Sequence, residues 1–312
     1  MSSHLQYRLA TPEDDPRILA LFKSSFKKDV PVKVWEWFNE GCPYGHNRTY
    51  VIEDLEAGIF PASYSLLPIR LRLNGKEINA SLCTNVNTHP GYRGQGLFIQ
   101  IGHFALDSEP EFDTPISIGM PNKNAYPGHM KVGWDIAFPL PFLVKHDCKI
   151  QPHRCKEVKQ FDSGLDTFME NIAQNFSFMV FKNHRFLNWR VVERPDKQYI
   201  RFIYEDGGNI RGYAILKHFD GDNIHKSHIL DIQADSDEVL DDLISAGESF
   251  AAGRDELNLW TNPHNPYHQT FLNRGFYERP SDDMVIIHFN DGNKQPIGNG
   301  NWWFCLADND VY

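Results

Sequence analysis

The chemistry of this chain concentrates between Asn85 and Phe98, N-V-N-T-H-P-G-Y-R-G-Q-G-L-F. A short strand runs into Pro90, then a glycine-punctuated basic turn, then an apolar helix. Gly94 and Gly96 leave little side chain over the turn, so a ligand can approach its amides closely. The amides of Gly94, Gln95, Gly96, Leu97 and Phe98 open a helix, where unbonded donors and the positive end of the dipole favour an anion. Arg93 adds a full positive charge at the same place. Leu97, Phe98, Ile101, Phe104 and Ala105 recur at helical spacing, so one face can dock on a sheet. Together these features predict a cradle for a pyrophosphate. Two other phosphate-binding patterns are absent: no lysine follows the glycines as in a P-loop, and G-x-G-x-x-G fails at Ile99.

What remains resembles the acyl-coenzyme A signature of the GNAT superfamily of N-acetyltransferases, Q/R-x-x-G-x-G/A before an apolar helix. The matching residues are Gly91-Tyr92-Arg93-Gly94-Gln95-Gly96; both glycine positions are met, and the first position is Gly91 in place of Gln or Arg. The opening Y-R-L-A-T-P-E-D-D is also similar to the first element of that family. The resemblance implies acetyl-coenzyme A as acyl donor. Its pantetheine amides would pair with backbone groups of Val86, Asn87 and Thr88 beside a bulge that opens the sheet, and Pro90 is placed to enforce the splay. Asn124, opening the later N-A-Y-P-G-H-M pattern, joins the expected cofactor contacts.

Acyl transfer to an amine also needs a proton for the leaving thiolate and a neutral acceptor. The family places a tyrosine four residues before a Gly-aromatic pair. That position is His129 here, with Tyr126 three residues earlier. Either side chain can donate a proton, and Tyr126 is preferred because Tyr267 holds the equivalent place in a later, similar stretch. Glu53 on an early strand and Asn85 beside the cradle are candidates for the acceptor pocket. Tyr312 is a separate candidate. In tandem acetyltransferases of the mycobacterial enhanced-intracellular-survival group a C-terminal carboxylate enters the first domain's active site. Fourteen histidines and five cysteines show no regular metal-ligand spacing, so no metal is expected.

The elements that must position these groups follow from local pattern. A strand at Leu5–Leu9 leads into a helix started by Thr11 and Asp14. Strands follow at 50–53, 62–73 and 78–87, with Asn74-Gly75 as a hairpin turn, then the cradle helix, a strand at 115–119 and a helix at 124–132. This order predicts an α+β fold. The second half repeats the first: N-A-Y-P-G-H-M-K-V-G-W near Asn124 is echoed by N-P-Y-H-Q-T-F-L-N-R-G-F near Asn265. At the cradle's equivalent it carries Asp235-Ser236-Asp237-Glu238, acids that would repel a pyrophosphate. The expected organisation is a coenzyme-binding domain over 1–148, a degenerate copy over 149–290, and a loop and apolar tail over 291–312 that packs back on the body. Each domain would be a mixed, mostly antiparallel sheet flanked by helices.

With a formal net charge of −10, the chain suits a cationic small-molecule amine better than nucleic acid or an anionic membrane. No stretch is long and apolar enough to span a bilayer, and the first residues lack a signal-peptide pattern, so a cytoplasmic protein is expected. The predicted activity is N-acetyl transfer to a primary amine, an amino sugar being one such acceptor. The competing expectations are an acyl or aminoacyl transferase of cell-wall or polysaccharide assembly, and a non-catalytic acyl-coenzyme A-binding scaffold. Oligomeric state is not set by the sequence.

Overall fold

The computed structural model describes residues 4–294 and 300–312, which divide into two compact units. The first unit comprises the chain up to Arg70, Ile78–Phe138 and a segment from Asp283. It contains strands β1 (Leu5–Leu9), β2 (Arg48–Asp54), β3 (Ile59–Leu73), β4 (Lys76–Cys83), β5 (Asn87–Thr88), β6 (Ile116–Gly119) and β7 (Asp135–Pro139). Its helices are α1 (Asp15–Phe26), α2 (Val32–Glu40), α3 (Leu97–Ser108) and α4 (Tyr126–Val132). The sheet order is β1-β2-β3-β4-β6, then a return strand from much later in the chain, Met284–Phe289, then β7. Asn74 and Gly75 both take positive φ (50° and 80°), the geometry of a two-residue hairpin turn between β3 and β4.

Helix α3 packs on this sheet because Leu97, Ile101, Ala105 and Leu106 fall on one face, against Tyr50, Ile52, Tyr64 and Leu66. Gly102 lets α4 come close: a Cβ there would lie 2.8 Å from Val132. At the far end of α3, Glu109 is fully buried and holds β2 through Arg48 (2.8 and 2.5 Å) and the Tyr50 hydroxyl (2.9 Å).

The second unit takes Leu71–Glu77, Pro139–Asp282 and the C-terminal tail. Its elements are β8 (Phe142–Lys145), β9 (Lys156–Glu157), α5 (Gly164–Ile172), β10 (Phe178–Val180), α6 (His184–Val191), β11 (Ile200–Asp206), β12 (Asn209–Gly221), β13 (Ile224–Ala234), α7 (Asp237–Phe250), β14 (Glu256–Trp260), α8 (His268–Asn273) and β15 (Tyr277–Arg279). Labelled in chain order, the return strand of the first sheet is β16, and the tail adds β17 (Trp302–Trp303), parallel to β10. The second sheet runs β15-β8-β14-β13-β12-β11-β9.

The two sheets repeat one plan. An antiparallel meander (β2-β3-β4; β11-β12-β13) leads through a helix (α3; α7) to a strand parallel to the meander's last (β6; β14). A further strand is then inserted antiparallel beside it (β16; β8). The inserted strand in each case is out of chain order. A boundary at 148 is therefore corrected: Phe142–Lys145 already pairs with β14 and β15 of the second sheet, and Met284–Phe289 returns to the first. The second half is thus not one continuous block from 149 to 290. Part of the loop expected at 291–301 lies outside the described residues. Helix α2, which buries Trp35 and Phe38, was not foreseen.

Candidate active site

The pairing of β4 with β6 ends at Cys83↔Gly119. Beyond it the chain of β4 continues into β5, which pairs with β3 alone through Ser63↔Asn87 and Ala62↔Thr88. The sheet is parted at this point. The His89 amide bonds Pro61, so by strand alternation Asn87 also turns its main chain toward β3, while Val86 and Thr88 turn theirs to the open edge. The expected edge contacts therefore reduce to Val86 and Thr88. Asn87 instead backs the strand, its side-chain amide donating to the Ser63 hydroxyl at 3.2 Å. The buried side-chain oxygens of Thr84, Asn87 and Thr88 have no hydrogen-bond partner among the described residues, which marks the region as built for polar contacts that it does not make to itself.

Pro90–Tyr92 forms a single 3-10 turn, fixed where the Tyr92 hydroxyl donates to buried Asp54 (2.8 Å). It delivers Arg93 and the glycines to the start of α3. Gly94 and Gly96 have φ of 80° and 75°, a region that favours glycine, and no side chain caps the helix. The amides from Gly94 to Phe98 carry no protein acceptor among the described contacts, whereas those of Ile99 and Gln100 bond Gly96. Arg93 is exposed, and its guanidinium approaches the Ser25 carbonyl at 3.5 Å. A run of five open donors beside a free-standing cation fits a pyrophosphate, and the open edge of β5 fits an amide-bearing arm leading away from it.

Helix α4 places the proton-donor candidates. Tyr126, at its first turn, is half-buried, and its hydroxyl has no hydrogen-bond partner among the described residues. His129 is buried, hydrogen-bonded through Nδ1 to the Tyr64 hydroxyl (3.1 Å), and ringed by Phe98, Trp134 and Tyr64. Burial pushes its pKa down to about 4. A base that takes up a proton only near pH 4 has none to give at neutral pH. Asn124 is exposed and its amide bonds Asn122 Oδ1 (2.9 Å), which shapes the turn before α4.

The acceptor-side candidates are differently placed. Glu53 is held by Arg8 and Arg17 (both 2.8 Å), and these arginines keep its carboxyl below the usual range. Asn85 is half-buried next to the open edge. In the second unit, the main-chain oxygen of Tyr312 accepts from Arg190 and Arg194 (2.7 Å each) and from the Tyr199 hydroxyl (3.2 Å).

The second sheet's equivalent of this site is closed by its own residues. Ser236 caps α7, accepting from the Val239 amide. Asp235 is paired with Arg211 (2.9 Å). Tyr267, the counterpart of Tyr126, donates to the Ala234 carbonyl (2.8 Å) and accepts from the Ala234 amide (3.2 Å) at the end of β13. No local pattern marks this closure, Tyr64 or the Tyr92–Asp54 contact, because each tyrosine hydroxyl meets a partner distant in sequence.

A mixed sheet parted beside an uncapped, glycine-led helix defines the class: an α+β fold of the acyl-coenzyme A N-acyltransferase type. Residues 6–137 match the model of the acetyltransferase (GNAT) domain family. Among curated proteins no relative matches by sequence. Solved structures do match. A GCN5-related N-acetyltransferase from Anabaena variabilis is 15% identical, with a TM-score of 0.73 over 92% of this chain and 73% of that one. A probable N-acyltransferase from Enterococcus faecalis is 14% identical, with a TM-score of 0.72 over 92% and 72%. Saccharomyces cerevisiae N-myristoyltransferase with bound myristoyl-coenzyme A is 11% identical, with a TM-score of 0.62 over 93% and 83%. At these identities the likeness is one of fold.

Proposed function

We propose that the first unit transfers an acetyl group from acetyl-coenzyme A to the primary amine of a small molecule, and that the second unit is a degenerate copy, as in the tandem enhanced-intracellular-survival group. The observation that carries this reading is the contrast between the two sheets. In the first, the amides from Gly94 to Phe98 and the Tyr126 hydroxyl have no protein partner among the described residues. In the second, Ser236 and Tyr267 satisfy the equivalent groups internally.

When bound, the coenzyme supplies an acyl group activated as a thioester. Arg93 and the α3 amides hold the diphosphate, and Val86 and Thr88 hold the pantetheine arm along β5. Tyr126 holds the proton that the leaving sulfur needs; a phenol stays protonated well above neutral pH. The acceptor amine gives up its proton to water, since Glu53 is committed to two arginines.

Calorimetric titration with coenzyme A and acetyl-coenzyme A, followed by thiol release with a panel of small amines, tests the proposal. Arg93→Glu is expected to weaken coenzyme binding at least about tenfold while leaving the melting temperature unchanged, because the side chain is exposed. Tight coenzyme binding with no thiol release from any amine would instead favour a binding scaffold.

A further inference from the structure

The second unit, closed as a coenzyme site, has an open cleft of its own. It encloses about 580 Å³ between α5 and the turn that joins β11 to β12, and it reaches Asp235, just before α7. That volume lies within the range of small-molecule sites. Helix α5 builds one wall. Phe168 and Ile172 are buried and line the floor, while Thr167 and Asn171 stand four residues apart on the cleft side. Asn175 extends this polar file into the 3-10 turn that follows the helix. The other wall is a tight hairpin. Gly207 and Gly208 take φ of 57° and 80°, which sets Asp206 and Asn209 opposite one another at its neck.

The side chains of Thr167, Asn171 and Asn175 make no hydrogen bond among the described residues. Arg211 is the cation of the lining, and it is already committed to Asp235 at 2.9 and 3.1 Å, with Asp206 3.7 Å away. Asp206 and Asp235 against Arg211 leave the lining negative by one charge. An anion would therefore meet two carboxylates and a cation already paired. A wholly apolar ligand would cut the amides off from water without replacing their hydrogen bonds. We infer that this cleft binds an amino sugar, with its ammonium group at Asp206 and Asp235 and its hydroxyls on Thr167, Asn171 and Asn175. Side-chain amides both donate and accept, as sugar hydroxyls do, and the apolar floor suits the C–H face of the ring. The Asp206 carboxylate is 70% exposed, which leaves it lone pairs to accept from an ammonium group. The acids that would repel a pyrophosphate here serve a ligand of the opposite charge. The cleft lies wholly within the second unit and stands apart from the coenzyme reading.

Ligand-observed NMR titration of the full chain with a glucosamine disaccharide tests this. Two controls accompany it: the N-acetylated disaccharide, which keeps the rings and loses the charge, and putrescine, which keeps the charge and lacks the rings. The amino disaccharide should bind at least about tenfold more tightly than either, because charge-assisted and hydroxyl contacts both contribute. Asp206→Asn should lower its affinity about tenfold and bring it level with the N-acetylated form. Asn171→Leu should weaken both sugars alike. Both side chains are exposed, so the melting temperature should stay unchanged in each variant. The inference is overturned by a lack of saturable binding at high millimolar concentration, or by either control binding as tightly as the amino disaccharide. Affinity that either variant leaves unchanged also overturns it, since the sugar would then sit elsewhere.

Discussion

Two tyrosines at equivalent places differ in what their hydroxyls do. Tyr267 is bonded to both main-chain groups of Ala234, while the Tyr126 hydroxyl has no partner among the described residues. A donor already committed to its own strand is unavailable to a substrate; an uncommitted one is ready. Tyr126→Phe is therefore expected to lower turnover by about 100-fold, within the usual range for loss of a general acid, with coenzyme affinity retained. Stopped thiol-release assays check this, and a variant as fast as the wild type would remove Tyr126 from the mechanism. At this scale the sequence offered Tyr126 and His129 as donor candidates. The proposal takes Tyr126 because His129 is buried, and that burial depends on Phe98 and Trp134 from other segments.

At the scale of the element, α3 joins chemistry to stability. Its first turn has no side-chain cap, as the proposed anion site requires, and its packing face and far end must compensate. Arg48 and Tyr50 reach the buried Glu109 just beyond the last turn. Arg48→Met would leave that carboxylate buried with only hydroxyl partners, and the expected loss is about 3–5 kcal/mol of stability, read by urea unfolding. Unfolding at the wild-type midpoint would show the pair to be inessential. Gly94→Ala and Gly96→Ala force a left-handed backbone on residues with a Cβ, at about 1–2 kcal/mol each. Coenzyme titration should show weakened binding in both, with no space filled at Gly94, where an added Cβ meets nothing within 4 Å.

For the whole molecule, each unit has a buried polar group that ties its stability to pH or to a pair. His129 in the first and His228 in the second both have pKa values pushed down to about 4, chiefly by burial. In the unfolded chain a histidine titrates near 6.5, so between about 6.5 and 4 the unfolded state holds more protons than the folded one. This contribution is fully present above pH 6.5 and is lost as pH falls toward 4, by about 1.4 kcal/mol per unit for each histidine. The urea midpoint should fall between pH 7 and 4.5, and His129→Phe should flatten the fall; an unchanged slope contradicts the assignment. In the second unit Lys182 is fully buried between Asp231 (2.9 Å) and Asp308 (2.8 Å), with Tyr213 and Trp303 bonded to Asp231. Lys182→Met would strand two buried carboxyls and cost at least about 3 kcal/mol, seen as a lower melting temperature.

Some of this was fixed by local sequence alone. The Asn74-Gly75 turn needs two positive φ values that few residues accept, so the hairpin reads directly. The strand at Leu5–Leu9 and the glycine-led start of α3 read for the same kind of reason, each being a short-range demand on the backbone. Tertiary structure decided what depends on distant partners. Strands β8 and β16 carry no mark of the sheet they join, because strand pairing is set by the edge available in the fold. The parting of β4 from β6, the closure of the second site by Tyr267 and the rings around His129 arise only where separate segments meet. A residue's type fixes the chemistry it can do, and its neighbours in space determine whether that chemistry is left free.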